Sequence, residues 1–415
     1  MRIALARRLL PVALLAAGCA TKSPVLAPAD PPLDAILASD AALRADLETA
    51  TDRRIQVVLG WIEPGDAGRP VLRQAGFRSG AEYSYPASSV KLFAAIAALE
   101  RLETLRAETG LDLTLDTPLV YHPLFEGETL EADDPTHLAG GKITLRHEIR
   151  KLFLVSDNES FNKLYELVGP DGLAASLARA GLGDVRIVHR LSEARTPEEN
   201  LRSPRIELVG DAFRYEIPER VAAAQPPPLP IPRLEVGTAY LAGDETIAGP
   251  MDFSAKNRFP IADLQRGLCK LARPDVDCGP GGSFELTDAH RAFLLETMSE
   301  LPAQSTDPVF DATEYPDAWG KHLLPGLERV VPRARFRIHN KTGGAYGFST
   351  ENSWVVDTAT GRSFFLAATI YTNRDGVLND DRYEYDTEAY PFLERLGEAA
   401  GLWFWAEEAD QAKKR

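Results

Sequence analysis

Strand-forming runs fall in two groups, one near each end of the chain, with a long helical stretch between them. "RIQVVLGWI" (54–62) and "PVLRQAGFR" (70–78) are β-rich and separated by the turn-forming "EPGDAGR", so they read as a hairpin. Late in the chain "ARFRIHNKTGG", "NSWVVDTATG" and "RSFFLAATIYTN" read as three strands joined by short turns. A helix is expected before the first group, from Leu33 to about Leu47, and another after the last, from Thr387 to Trp405. The simplest packing joins all five strands into one antiparallel sheet. The terminal helices then cover one face and a helical subdomain the other, giving an α/β fold.

Several helices are expected in that middle. The segment after Ser88 places Leu92, Ile96, Leu99 and Leu102 or Leu105 on one face. Thr144 is a good N-cap for a second helix, and a third starts near Glu159. "PIADLQRGLCKLA" and "LTDAHRAFLLETMSEL" carry two more. The proline-rich run 218–237 has too many prolines for a core element and reads as an extended surface excursion.

The N-terminus is not part of this fold. Arg2, Arg7 and Arg8 precede an apolar run and then small residues, the pattern of a secretory signal over 1–18. "LAAGC" ending at Cys19 resembles a bacterial lipobox, which implies a lipidated Cys19 and a tether over 19–32; a plain cleaved signal is the other reading. The domain expected to follow runs 33–405, with an atypical insertion at about 201–255 and a tail at 406–415. An exported chain meets an oxidising compartment, so Cys269 and Cys278 are candidates for a short-loop disulfide, against the alternative of two free thiols. The formal charge of −15 and pI of about 5.1 argue against nucleic acid as a partner.

Three short motifs occur in order: "SSVK" (88–91), "SDN" (156–158) and "KTG" (341–343). An S-x-x-K is expected about once by chance at average composition, and each of the others roughly a few hundredths of a time. Taken singly, Ser88 could be a helix cap, Lys91 a solvated first-turn residue, and the other two a turn and a hairpin. Together the three motifs resemble the set of class A β-lactamases and penicillin-binding proteins. The chemistry explains the residue types. A serine hydroxyl is a weak nucleophile until a base takes its proton. One helical turn sets residues i and i+3 side by side, and a lysine acts as base only if burial and nearby positive charge lower its pKa.

The resemblance implies roles. Ser88 would be the nucleophile, Lys91 its base, Ser156 a proton carrier and Lys341 the nearby cation. Lys341 would also hold a substrate carboxylate with help from Thr342. Asn158 would bind the substrate's amide, and backbone N–H groups of Ser88 and Gly344 would hold the oxyanion. The fold implied is of the β-lactamase/transpeptidase kind. The implied partner is a small β-lactam or a peptidoglycan peptide, and the location is the periplasm, anchored by lipid, with the outer membrane favoured by Ala20.

The chain departs from the family in two ways. The interval from Ser156 to Lys341 greatly exceeds that of a compact class A enzyme. Where such enzymes carry an E-P-x-L-N loop with a water-activating glutamate, this chain has "RTPEEN", with Thr196 in the glutamate's place when Asn200 is aligned. Glu198, Glu199 and Glu193 are the candidate deacylation bases. Three functions follow: a class A-like β-lactamase; a D-Ala-D-Ala peptidase or esterase on the same scaffold; and a non-catalytic lipoprotein that binds cell-wall fragments. No cofactor or metal is expected: the histidines are scattered, "HEIRK" at His147 lacks the second histidine of a zinc protease, and "YTNRDGVLNDDR" fails as a calcium loop.

Overall fold

The computed structural model describes residues 33–223 and 230–406. The expected signal at 1–18, Cys19, the tether to residue 32 and the tail beyond 406 lie outside them.

Strand Ser363–Tyr371 sits at the middle of the main sheet, and all but its two end residues are buried. Such a continuous apolar run belongs to a strand covered on both faces. On one side it pairs with Gln56–Glu63, with Val57 opposite Ala368 and Leu59 opposite Leu366. On the other it pairs with Phe348–Asp357. The order is 336–340, 348–357, 363–371, 56–63, 71–77, and every neighbouring pair is antiparallel. The five strands are thus partnered as expected. A short sixth, Gly343–Ala345, pairs with the start of Phe348–Asp357.

Alternation along these strands builds two cores. Val57, Leu59, Phe364, Leu366 and Ala368 join Leu33, Ile36, Leu43, Phe392 and Leu396 of the terminal helices. Val58, Phe365 and Ala367 face the opposite way, into a larger core with helices Lys91–Thr109, Leu145–Leu154, Asn158–Val168 and Ile261–Ala272. This is the layered α/β arrangement of β-lactamases and transpeptidases.

Local structure departs from the sequence reading in three places. The first helix is two pieces, Leu33–Leu37 and Ala41–Glu48, because Asp40 accepts hydrogen bonds from the Ala42 and Leu43 N–H groups and starts a new helix. The helix Lys91–Thr109 has no single apolar face: every residue from Lys91 to Glu100 is buried, so it is a core helix. The third is the proline-rich run 218–237, expected as an extended excursion, which holds two short strands within an insertion built around hairpins. Ile206–Gly210 and Phe213–Ile217 form a hairpin that pairs with Leu119–Tyr121, and Ala239–Ala242 and Glu245–Ala248 form a second that meets Val377–Leu378. Within the proline-rich run, Arg220–Val221 and Glu235–Val236 are short strands.

Candidate active site

The helix that begins at Lys91 is entered through a 3-10 turn, Ala87–Val90. Ser88 therefore caps nothing. The cap positions are Pro86 for the turn and Val90 for the helix, and neither makes a side-chain cap bond. Ala87 has φ of 46°, a left-handed conformation that an alanine adopts only at a cost. Ser88 lies on the wall of a cleft of about 760 Å³, whose lining includes Asn158, Glu193, Gly344 and the rings of Tyr85, Tyr346, Tyr383 and Tyr385.

Lys91 is fully buried rather than solvated. Its Nζ donates to the Ser156 carbonyl, to Asn158 Oδ1 at 2.7 Å and to Ser156 Oγ at 3.3 Å. Lys341, from the strand side, reaches the same hydroxyl: its Nζ lies 2.8 Å from Ser156 Oγ and 2.8 Å from its neighbour Thr342 O. Ser156 is itself left-handed, with φ of 61°, just before the helix Asn158–Val168 that Asp157 caps through the Ser160 N–H. One serine hydroxyl thus sits between two lysine amines.

Burial, and after it the charge of Lys341, holds the Lys91 amine well below the usual lysine range. Burial brings Lys341 down to about 7, Lys321 pushing the same way and Glu351 opposing. These last two belong to a buried network beneath the strand. Lys321 Nζ donates to Asn340 Oδ1 at 2.9 Å, and Asn340 Nδ2 donates to Glu351 Oε1 at 2.7 Å. Sequence reasoning missed it. The available signal was a glutamate, an asparagine and a serine in succession (351–353) inside a strand that is otherwise apolar at its far end.

The remaining candidates divide. Gly343 is where the strand touches the turn: a Cβ there would lie 2.5 Å from Pro86 O and 2.6 Å from Ser88 N. Gly344 is open, its nearest atoms 4.0 Å away. The Thr342 hydroxyl donates to Thr350 O at 2.8 Å and is committed there. Asn158 Nδ2 donates to Ser192 Oγ at 2.7 Å, linking the SDN segment to the 190s loop.

That loop sorts the three glutamates. Thr196 caps the single turn Pro197–Asn200, and Glu199 closes a capping box by accepting from the Thr196 N–H at 2.7 Å. Glu198 is exposed and off the cleft wall. Glu193 lines the cleft, accepting from Asn162 Nδ2 at 3.2 Å and from Arg195 Nε at 2.5 Å. Asn200 is buried and pins the loop from beneath: its Oδ1 accepts from Arg190 N, and its Nδ2 donates to the Arg195 and Thr196 carbonyls.

Cys269 and Cys278 are joined as a disulfide, with Cα atoms 5.9 Å apart, at the end of the helix Ile261–Ala272. His137, His147 and Asp307 meet outside the cleft, with their ligand atoms all within 4.8 Å of one another.

Residues 74–208 match the model of the β-lactamase enzyme family. The matched segment takes in Ser88, Lys91, Ser156, Asn158 and the 190s loop and ends before Lys341. Among solved structures, a β-lactamase from Desulfarculus baarsii aligns at 20% identity and a TM-score of 0.46, over 88% of this chain and 97% of that one. One from Burkholderia vietnamiensis gives 17% and 0.45 over 88% and 95%. One from Xanthomonas campestris gives 18% and 0.43 over 86% and 96%. No curated protein matches the chain. On the strand order, the two helical layers and the matched segment, the chain has a β-lactamase-like fold.

Proposed function

We propose that this chain is an exported serine hydrolase of the class A β-lactamase type, opening β-lactams or related amides through an acyl-enzyme on Ser88. The observation that carries the reading is the burial of Lys91 one turn beyond Ser88, with Lys341 facing it across the Ser156 hydroxyl. Burial and the Lys341 charge both lower the Lys91 pKa, which favours the neutral amine that takes the Ser88 proton in this reading.

In this reading the Ser88 oxygen then bonds to the substrate carbonyl carbon, and the backbone N–H groups of Ser88 and Gly344 hold the oxyanion. As the C–N bond breaks, Ser156 passes a proton from the lysines to the departing nitrogen. Lys341 holds the substrate carboxylate. Thr342 joins it only by turning its hydroxyl away from Thr350. Asn158 binds the amide side chain, and Glu193, the one candidate on the cleft wall, activates the water that releases the acyl group. The signal at 1–18 would direct export. Cys19 would carry the lipid that tethers the domain 33–405 to the periplasmic face of a bacterial membrane.

A second reading has its own support. Thr196 stands where the family's glutamate belongs, and Glu199 is occupied in a capping box. An enzyme without an efficient base is acylated and clears slowly, as a penicillin-binding peptidase does.

A time course with a chromogenic cephalosporin and a fluorescent penicillin, on wild type and Ser88→Ala, separates the readings. Sustained turnover lost in the variant is expected. Stoichiometric labelling without turnover would favour the peptidase, and no labelling at all would overturn acylation at Ser88 and leave an esterase or a wall-binding lipoprotein.

A further inference from the structure

The imidazole rings of His137 and His147 stack with centroids 4.5 Å apart and planes 15° apart. Asp307, on the segment that follows helix Asp288–Ser299, faces both. His137 Nε2 lies 3.7 Å from one of its carboxylate oxygens and His147 Nδ1 3.7 Å from the other.

Hydrogen bonds on the far side of each ring fix where its proton sits. His137 Nδ1 is 2.8 Å from the Lys142 carbonyl, which only accepts, so Nδ1 carries the hydrogen. His147 Nε2 is 2.8 Å from Thr136 Oγ1, whose single hydrogen is given to Asp134 Oδ1 at 2.6 Å, so Nε2 is the donor there. Each neutral ring therefore turns a bare nitrogen lone pair toward a carboxylate. Lone pairs facing an anion repel, and protonating both rings instead would stack two cations. A single cation among the three groups removes both conflicts.

We propose that His137 Nε2, His147 Nδ1 and Asp307 bind one divalent transition-metal ion of the zinc class. The donor atoms lie within 4.8 Å of one another. Tetrahedral zinc with bonds of about 2.0–2.2 Å sets its ligand atoms about 3.4 Å apart, so only a small contraction is required. The outer contacts are those a metal site uses to orient its ligands. Lys142 O and Thr136 hold the rings, and the Leu138 and Ala139 N–H groups donate to Asp307 at 2.9 and 3.2 Å. The three residues line a polar cleft of about 1020 Å³, separate from that at Ser88. The ion would tie Asp307 and the 134–142 loop to the first turn of the helix Leu145–Leu154, whose other end leads to Ser156. It does not depend on the catalytic reading.

The test uses untagged full-length protein stripped with a chelator, then titrated with Zn²⁺ by calorimetry and with Co²⁺ by visible absorption. One equivalent should bind, with a tetrahedral Co²⁺ spectrum, and Zn²⁺ should raise Tm. His137→Gln and Asp307→Asn, at the two more exposed ligands, should each weaken binding by about 100-fold; circular dichroism and cooperative melting verify that they fold. No uptake by wild type, or uptake unchanged in both variants, would overturn the site.

Discussion

Gly343 and Ser88 are in such close contact that a single methyl group on Gly343 would lie 2.6 Å from the Ser88 backbone nitrogen. The strand that starts at Gly343 is thereby seated on the turn carrying Ser88. Gly343→Ala should push them apart, costing about 1–3 kcal/mol by overpacking and slowing acylation at least about 100-fold, as displaced catalytic groups do. Gly344→Ala, with open space around it, should stay within ~0.5 kcal/mol of wild type. Denaturant unfolding and penicillin acylation rates check both.

The charge of Lys341 disfavours that of Lys91, which gives a signed pH dependence. In Lys341→Met the burial of Lys91 remains but the neighbouring cation is gone, so the Lys91 pKa rises. The acidic limb of the acylation–pH profile should then move upward. A downward shift would contradict the coupling. Stability follows the same logic. The folded chain releases the Lys341 proton at about 7, whereas the unfolded chain keeps it to about 10.4. The unfolded state binds more protons between those values, so stability rises with pH across that window. Thermal melts from pH 7 to 10 should show a flatter rise in Lys341→Met than in wild type.

What was legible in the sequence was whatever a local pattern encodes. The β-rich runs "RIQVVLGWI" and "RSFFLAATIYTN" were enough to place strands, and a sheet covered on both faces followed. The motifs SSVK, SDN and KTG singled out Lys91, Ser156 and Lys341, and the structure brings both lysines within hydrogen-bond reach of the Ser156 hydroxyl. What was not legible depends on contacts distant in sequence. Lys321 and Glu351 meet through Asn340 only once two strands pair, and nothing local marks them as a set. Asp307 joins His137 and His147 from the far side of the helical layer. The Thr342 hydroxyl looked free until its strand met Thr350. Of Glu193, Glu198 and Glu199, only the folded loop shows that Glu199 sits in a capping box and Glu193 on the cleft wall.

The Cys269–Cys278 bridge closes a short loop at the end of a helix packed on the sheet. Closing a loop of this size stabilises by about 2–3 kcal/mol on the chain-entropy account. Replacing both cysteines by serine should lower stability by that order and leave acylation at Ser88 within ~2-fold, since neither residue lines the cleft. Urea unfolding of the variant, beside reduced wild type, measures it. Equal stability of all three forms would mean the bridge contributes nothing.

Variants of the 190s-loop glutamates test acylation and release separately. If Glu193 is the base, Glu193→Gln leaves the first acylation step close to wild type and lowers steady-state turnover by about 100-fold or more. The acyl-enzyme then accumulates and is visible as a mass shift on the peptide containing Ser88. Glu198→Gln should change neither phase, because that side chain is exposed and off the cleft wall. Glu199→Gln should weaken the cap of the Pro197–Asn200 turn without trapping the acyl-enzyme, because its carboxylate is held by the Thr196 N–H. Should Glu199→Gln be the variant that traps the acyl-enzyme, the cap must open during the cycle, and the base is Glu199 rather than Glu193.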